Sequence, residues 1–424
     1  MSTSELAITG GNPIRTSPWP TWPIATKETM ANLETVMLSG RWAISGCYTG
    51  VKGYEQRFCQ AFADYQGSPY AIATTNGSAA LKIAMMEIGV GPGTEVIVPG
   101  LTWVACASTV VELGAVPVLA DVDPNSLSIS VQAAEAVLSK KTVAILLVHA
   151  YCSAADIDGF MDLSNRTGIA LIEDCSQAHG AEWKGQKLGS FGQIGVFSLQ
   201  QTKVLTCGEG GIVTCASAEA YNRLQQYRAN GRIYATHPVT GQMELIEKGE
   251  VYGANRSMSE IHAAIALAQL KLLDEQNTVR EANASYLNKA LDEISGINTV
   301  VPPDGLTRRT YYDYVIQLNA DILGPFSIHR VVEAMSAELG TFIETLDMPM
   351  NSNILYNPLL SKTTNTKELI NQLDPKRFDL PFAHNAYNSS FAFLHHILLG
   401  TIKDMDDIVS AVLKIIGCMD KLRG

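Results

Sequence analysis

A chain of 424 residues, 46% hydrophobic and 17% charged, can bury a core larger than one small domain needs, so two domains are expected. The formal net charge of −11, with no local run of Lys and Arg to offset it, excludes a phosphate-backbone binder, and no nucleic-acid partner is expected. The opening MSTSELAITGGNP lacks the regions of a secretory signal, and no apolar run nears the roughly 18 residues that span a bilayer, which points to a cytoplasmic protein without a membrane partner.

Residues 1–30 read as an N-terminal arm and 31–265 as a large domain. From about 70 to 215, short β-branched runs alternate with segments of helical spacing, the pattern of an α/β fold with a mostly parallel sheet. Its seven strands are predicted at YAIATTN (70–76), EVIVPG (95–100), PVLADVD (117–123), VAILLVHAY (143–151), IALIEDCS (169–176), IGVFSLQ (194–200) and GGIVTCA (210–216). Helices are predicted at 78–89, closed by Gly89, and at 104–114. From about 255 the apolar spacing is helical over more than thirty positions, a connecting helix that leads into a smaller C-terminal α+β domain within 266–424. That domain should hold a strand at 311–318 and helices at 328–339 and 404–422. No repeat of fixed period is visible. The eight cysteines form no CxxC pair and read as reduced core thiols.

The chemistry gathers at strand ends. The run IALIEDCS stops at Asp174, at the carboxyl end of a central strand where ligands of open α/β sheets collect. Lys203 follows a second short strand, ahead of Thr206 and the glycines 208, 210 and 211. A lysine amine forms a Schiff base with an aldehyde cofactor, and a buried aspartate keeps the ring nitrogen of that cofactor protonated. Alone, Lys203 would be a surface lysine and Asp174 a loop carboxylate; together they point to pyridoxal phosphate. Gly77 and Ser78, between a strand and a helix, suit a phosphate at a helix N-terminus, or else a plain Asn-Gly turn with Ser78 as N-cap. Neither GxxxxGK nor GxGxxG occurs, which disfavours a nucleotide loop. Trp103 lies just beyond the strand 95–100, where its ring could cover a flat cofactor or pack in a core or interface. His149 reads as a satisfied core imidazole, whereas His179 follows Asp174 closely enough to orient it. No HExxH motif or Cys/His cluster supports a metal.

With these residues assembled, the chain resembles the DegT/DnrJ/EryC1/StrS family of pyridoxal phosphate aminotransferases over nearly its whole length. The resemblance runs through TTNGSAAL, EVIVPGLTWVA, GAVPVLADVDP, VHAYCSAADID, IEDCSQAHGA, GSFGQIGVFSLQQTKVLTCGEGG and GANRSMSEIHAAIALAQL. It implies a fold-type-I, aspartate-aminotransferase-like architecture, with the large domain binding the cofactor. Lys203 would carry the cofactor and Asp174 contact its ring nitrogen, with Gln177 near its phenolic oxygen and Trp103 stacked on the ring. Gly77, Ser78 and Ser198 match phosphate contacts, and Asn255 matches an asparagine that reaches the phosphate of a neighbouring subunit, which implies a homodimer with shared active sites.

The segments SPWPTWP, GRWAISGCYTG and LHHILLG are similar to the branch that aminates keto-cyclitols in aminoglycoside biosynthesis, with L-glutamine as donor. Amino-hydroxybenzoate synthases also carry the late histidine pair. On this reading Arg41, Tyr151, His179, His395 and His396 stand on the substrate side. Ser257 replaces an arginine of many nucleotide-sugar members, in keeping with a cyclitol, while Cys152 and LSIS (127–130) depart from the common pattern. FIETLDMPMN (342–351) shows no pattern assignable to a substrate. The expected reaction is a two-step exchange with Lys203 as general base. The alternatives are a nucleotide-linked keto-sugar as acceptor, a different reaction on the same cofactor, or a cofactor-free scaffold. The presence of Lys203 counts against the deoxygenating relatives, which carry His there.

Overall fold

The computed structural model describes residues 5–360 and 367–422. All seven predicted strands form, at Tyr70–Thr74, Glu95–Pro99, Val116–Ala120, Thr142–Val148, Ala170–Asp174, Ile194–Ser198 and Gly211–Cys215. They build one sheet in the order 70–74, 211–215, 194–198, 170–174, 142–148, 95–99, 116–120. Five neighbouring strands from 194–198 to 116–120 pair in parallel, and only 211–215 runs antiparallel to its neighbours. Parallel strands covered on both faces read as continuous apolar runs, which is why these segments were legible.

Successive side chains point to opposite faces. Ile72, Val96, Leu146, Ile172 and Val213 join one core with Leu81, Ala84 and Met85. Ala73, Ile97, Leu147, Leu171 and Ile212 join the other with Phe58, Phe62, Phe160 and Leu163. Most of the cysteines lie in these cores, as buried residues.

The helix Gly77–Ile88 ends at Gly89 in the left-handed conformation, as expected. Its N-cap, however, is Asn76, whose side chain accepts from the Ala79 N–H at 2.8 Å. An Asn-Gly pair lets the amide reach back over the first turn and leaves Ser78 inside the helix. The long helical segment is two helices, Glu260–Leu270 and Leu273–Asp292. Between them the Leu272 N–H bonds Gln269 O, three residues back, a tightened turn. No Gly or Pro marks that break, so spacing alone could not show it.

The second sheet is antiparallel, in the order Ile297–Thr299, Asp313–Leu318, Ser390–Leu394, Glu344–Thr345. Its helix Ile328–Leu339 matches the expected range, and the terminal helix runs Ile402–Ile416 with Thr401 and Asp404 as a capping box. The arm reaches the helix Lys27–Ser39, capped by Thr26, after binding the C-terminal half: Arg15 pairs with Asp404 and Asp407, and Trp19 Nε1 donates to Leu339 O. Among the described residues no helix is long and apolar enough to cross a membrane.

Candidate active site

The parallel strands deliver their last residues to one edge of the sheet. Asp174 ends its strand, and Lys203 follows the strand Ile194–Ser198 by one turn. Trp103 follows Glu95–Pro99, and Tyr151 follows Thr142–Val148.

Behind this edge, Glu173 points away from the site into the core. It is fully buried and accepts the N–H groups of Gly189 (2.8 Å), Phe191 (2.7 Å) and Gly192 (2.7 Å). His149 Nδ1 accepts the Ala155 N–H at 3.2 Å, so its proton sits on Nε2, 3.3 Å from Glu173. His149, Glu173 and Cys175 converge within 4.8 Å, and these hydrogen bonds account for the cluster as a structural brace, the bland reading of His149. Glu173→Ala should strand the buried Gly189 N–H, the half-buried N–H groups of Phe191 and Gly192, and the imidazole. A loss of about 3 kcal/mol or more is expected in chemical denaturation.

Asp174 is buried; its Oδ1 accepts the Ser176 N–H at 2.9 Å and its Oδ2 faces the Cys106 thiol at 3.6 Å. Burial and the Asp174 charge push the Cys106 thiol well up, so it stays protonated and donates. Lys203 Nζ lies 3.8 Å from the centre of the Tyr312 ring and, among the described residues, makes no hydrogen bond or ion pair. Burial pulls the amine below the ordinary lysine range, against the attraction of Asp174, Asp313 and Asp347. An amine held in this balance can lose its proton and act as a nucleophile.

The loop carrying Lys203 is pinned through its carbonyls. His179 Nε2 donates to Ser198 O (2.9 Å), Trp22 Nε1 to Gln201 O (3.1 Å) and His395 Nε2 to Thr202 O (2.9 Å). Tyr312 and Thr202 join hydroxyls at 3.0 Å. His395 is fully buried beside Trp22 and supports the lysine loop, so of the histidine pair it is the imidazole that packs. The expectation for His179 is corrected. His179 bonds Ser198 and lies against Phe197, with no hydrogen bond to Asp174. Burial and the nearby Lys203 lower His179 to about 3, so it serves as a neutral donor. His396 is half-buried beside His395.

Arg41 is buried against Glu244 (2.6 Å) and Glu260 (3.6 Å) in an internal ion cluster, so its charge is already paired within the fold. Tyr151 joins the large sheet to the smaller one. It is buried with φ of 56°, its N–H bonds Gln177 Oε1 (3.2 Å), and its hydroxyl donates to Asp347 (2.7 Å). Sequence reasoning missed Tyr312, whose ring lies against Lys203, and Asp313, Glu344 and Asp347, which all feel its charge.

Several features fit pyridoxal phosphate. A Cβ on Gly77 would come within 2.8 Å of Ser198 Cβ, so only glycine keeps this cradle at the helix N-terminus open beside the serine. Trp103 is 55% exposed, free of core packing, and its ring is available to a flat ligand. Asn255 is exposed on the segment whose Arg256 O accepts the Thr75 N–H.

The DegT/DnrJ/EryC1/StrS aminotransferase family matches residues 23–412. The L-glutamine:2-deoxy-scyllo-inosose aminotransferase of Streptoalloteichus tenebrarius is 44% identical over 421 residues, 99% of each chain. The L-glutamine:scyllo-inosose aminotransferase of Streptomyces griseus is 43% identical over 97% of this chain and 98% of its own. The solved structure of 3-amino-5-hydroxybenzoic acid synthase superposes with a TM-score of 0.80 at 26% identity, covering 94% of this chain and all of that one. An aminotransferase from Psychrobacter cryohalolentis superposes with the same score at 30% identity, over 96% of this chain and all of its own.

Proposed function

Because the chain belongs to the DegT/DnrJ/EryC1/StrS aminotransferase family, we propose that it binds pyridoxal phosphate at Lys203 and moves the amine of L-glutamine onto a keto-cyclitol of the 2-deoxy-scyllo-inosose kind, in the making of an aminoglycoside-type product. The observation that carries the cofactor half is the partly buried Lys203 amine, without a hydrogen bond or ion pair among the described residues, at the same sheet edge as Asp174. The curated relatives, similar over almost their full length, support the substrate half.

When bound, pyridoxal phosphate supplies an aldehyde that condenses with primary amines and a ring that draws electrons from the adjoining carbon. Asp174 then holds a positive charge at the ring nitrogen, and Trp103 covers the ring face. Gln177 stands by the phenolic oxygen. The N–H groups of Gly77 and Ser78, with the Ser198 hydroxyl, hold the phosphate. Lys203 Nζ takes the proton from the donor carbon and returns one to its acceptor counterpart, steadied in its charged state by the Tyr312 ring. In the proposed homodimer, the exposed Asn255 amide serves the phosphate site of a second copy of the chain.

Loaded protein should absorb visible light that borohydride bleaches. The reduced adduct should then map to the peptide containing Lys203. A colourless protein that never takes up the cofactor would defeat the proposal.

A further inference from the structure

The segment 342–351, silent in the sequence, carries Glu344 and Asp347, which both feel the charge of Lys203. Glu344 pairs with Ala392 and Asp313 with Leu394, so the two acids flank the strand Ser390–Leu394 from opposite sides. Asp347, three residues beyond Glu344, is tied to the large sheet through the Tyr151 hydroxyl. All three act electrostatically on Lys203, the cation that bears on Glu344 and Asp347.

Asp313 is an independent sign of a ligand. It is 6% exposed, and its buried Oδ1 has no hydrogen-bond partner among the described residues. An orphaned buried acceptor is costly unless something fills it. Burial and the charges of Glu344 and Asp347 push Asp313 up to about 7, so near neutrality it can also donate.

Carboxylate oxygens accept hydroxyl protons, and charge-assisted bonds of this kind are the strong ones. A surplus of negative charge in a desolvated pocket repels phosphate esters at short range. We propose that Asp313, Glu344 and Asp347 grip the hydroxyls of the acceptor ring beside Lys203 and select an uncharged polyhydroxylated ring over a phosphorylated or nucleotide-linked one. This inference rests on the aminotransferase reading above. Both reactants then enter without net charge, glutamine as its zwitterion and the ring as a neutral polyol.

The test uses the cofactor-loaded enzyme and the near-isosteric variants Glu344→Gln, Asp347→Asn and Asp313→Asn. Two readouts are taken on each preparation: equilibrium binding of scyllo-inositol by calorimetry, and the separate half-reactions with L-glutamine and with a polyhydroxylated ring ketone. Binding of scyllo-inositol and kcat/KM for the ketone should fall roughly 10- to 100-fold, mainly through KM. In Glu344→Gln the glutamine half-reaction, which also reports folding, should stay within about threefold, whereas Asp313→Asn and Asp347→Asn also alter the charge balance of Lys203, so their ketone losses are read relative to their own glutamine rates. Equal losses in both half-reactions, or unchanged inositol binding and ketone turnover in all three variants, would overturn this inference alone. A wild-type enzyme that takes the amine from glutamine and passes it to no polyhydroxylated ring would overturn it together with the function above.

Discussion

Lys203→Ala is expected to lower both half-reactions by roughly 10⁴-fold or more, because one atom, Nζ, serves as attachment point and as proton carrier. Among the described residues no neighbouring amine stands in for it: the cause is its setting against Tyr312 and under the charges of the acids 174, 313 and 347, which no other described lysine shares. The variant should still fold, since it removes a buried charge that forms no hydrogen bond among the described residues. The check is single-turnover absorbance with L-glutamine, after dialysis against cofactor. A variant that kept wild-type turnover would remove Lys203 from the mechanism.

Asp174→Asn should act differently. The carboxylate is anchored through Oδ1 by the Ser176 N–H and through Oδ2 by the Cys106 thiol, so an amide of the same shape keeps the volume and the Ser176 bond, turns an NH2 toward the Cys106 sulfur, and loses the charge. Without that charge the ring nitrogen has no reason to hold a proton, and electron withdrawal from the reacting carbon weakens. A fall of roughly 10²- to 10³-fold in kcat is expected, as for loss of an oriented electrostatic group. Lys203 remains, so colour and borohydride bleaching should persist. The two variants are thus separated by spectroscopy: the lysine variant loses the covalent link, whereas the aspartate variant keeps it and reacts slowly.

The sheet was legible because each central strand is a short apolar run buried on both faces, ending in residues that a buried strand does not tolerate. Asp174, Lys203, Trp103 and the Gly77–Ser78 turn each sit within a few positions of such an end, so local sequence located them. The acids around Lys203 were illegible for the opposite reason. Glu344 belongs to a strand of two residues, and its position depends on pairing with a segment almost fifty positions away. His395 and Trp22 carry ring N–H donors whose meaning lies in carbonyls on another part of the chain; a histidine pair and a Trp-Pro motif give no hint of that. The ion cluster of Arg41 was illegible because its partners, Glu244 and Glu260, are more than two hundred residues distant. Asn76 took the cap from Ser78 through backbone geometry that residue preference ranks too evenly to decide.

The central claim, that Lys203 relays an amine from glutamine to a polyhydroxylated ring, is tested most directly with L-glutamine labelled by nitrogen-15 at its α-amine. Loaded enzyme, the labelled donor and a keto-cyclitol of the 2-deoxy-scyllo-inosose kind are mixed, and the ring product is weighed by mass spectrometry. The account predicts a ring amine carrying the label in wild type and none with Lys203→Ala. No amine formed on the keto-cyclitol, or a ring amine lacking the label, would contradict it.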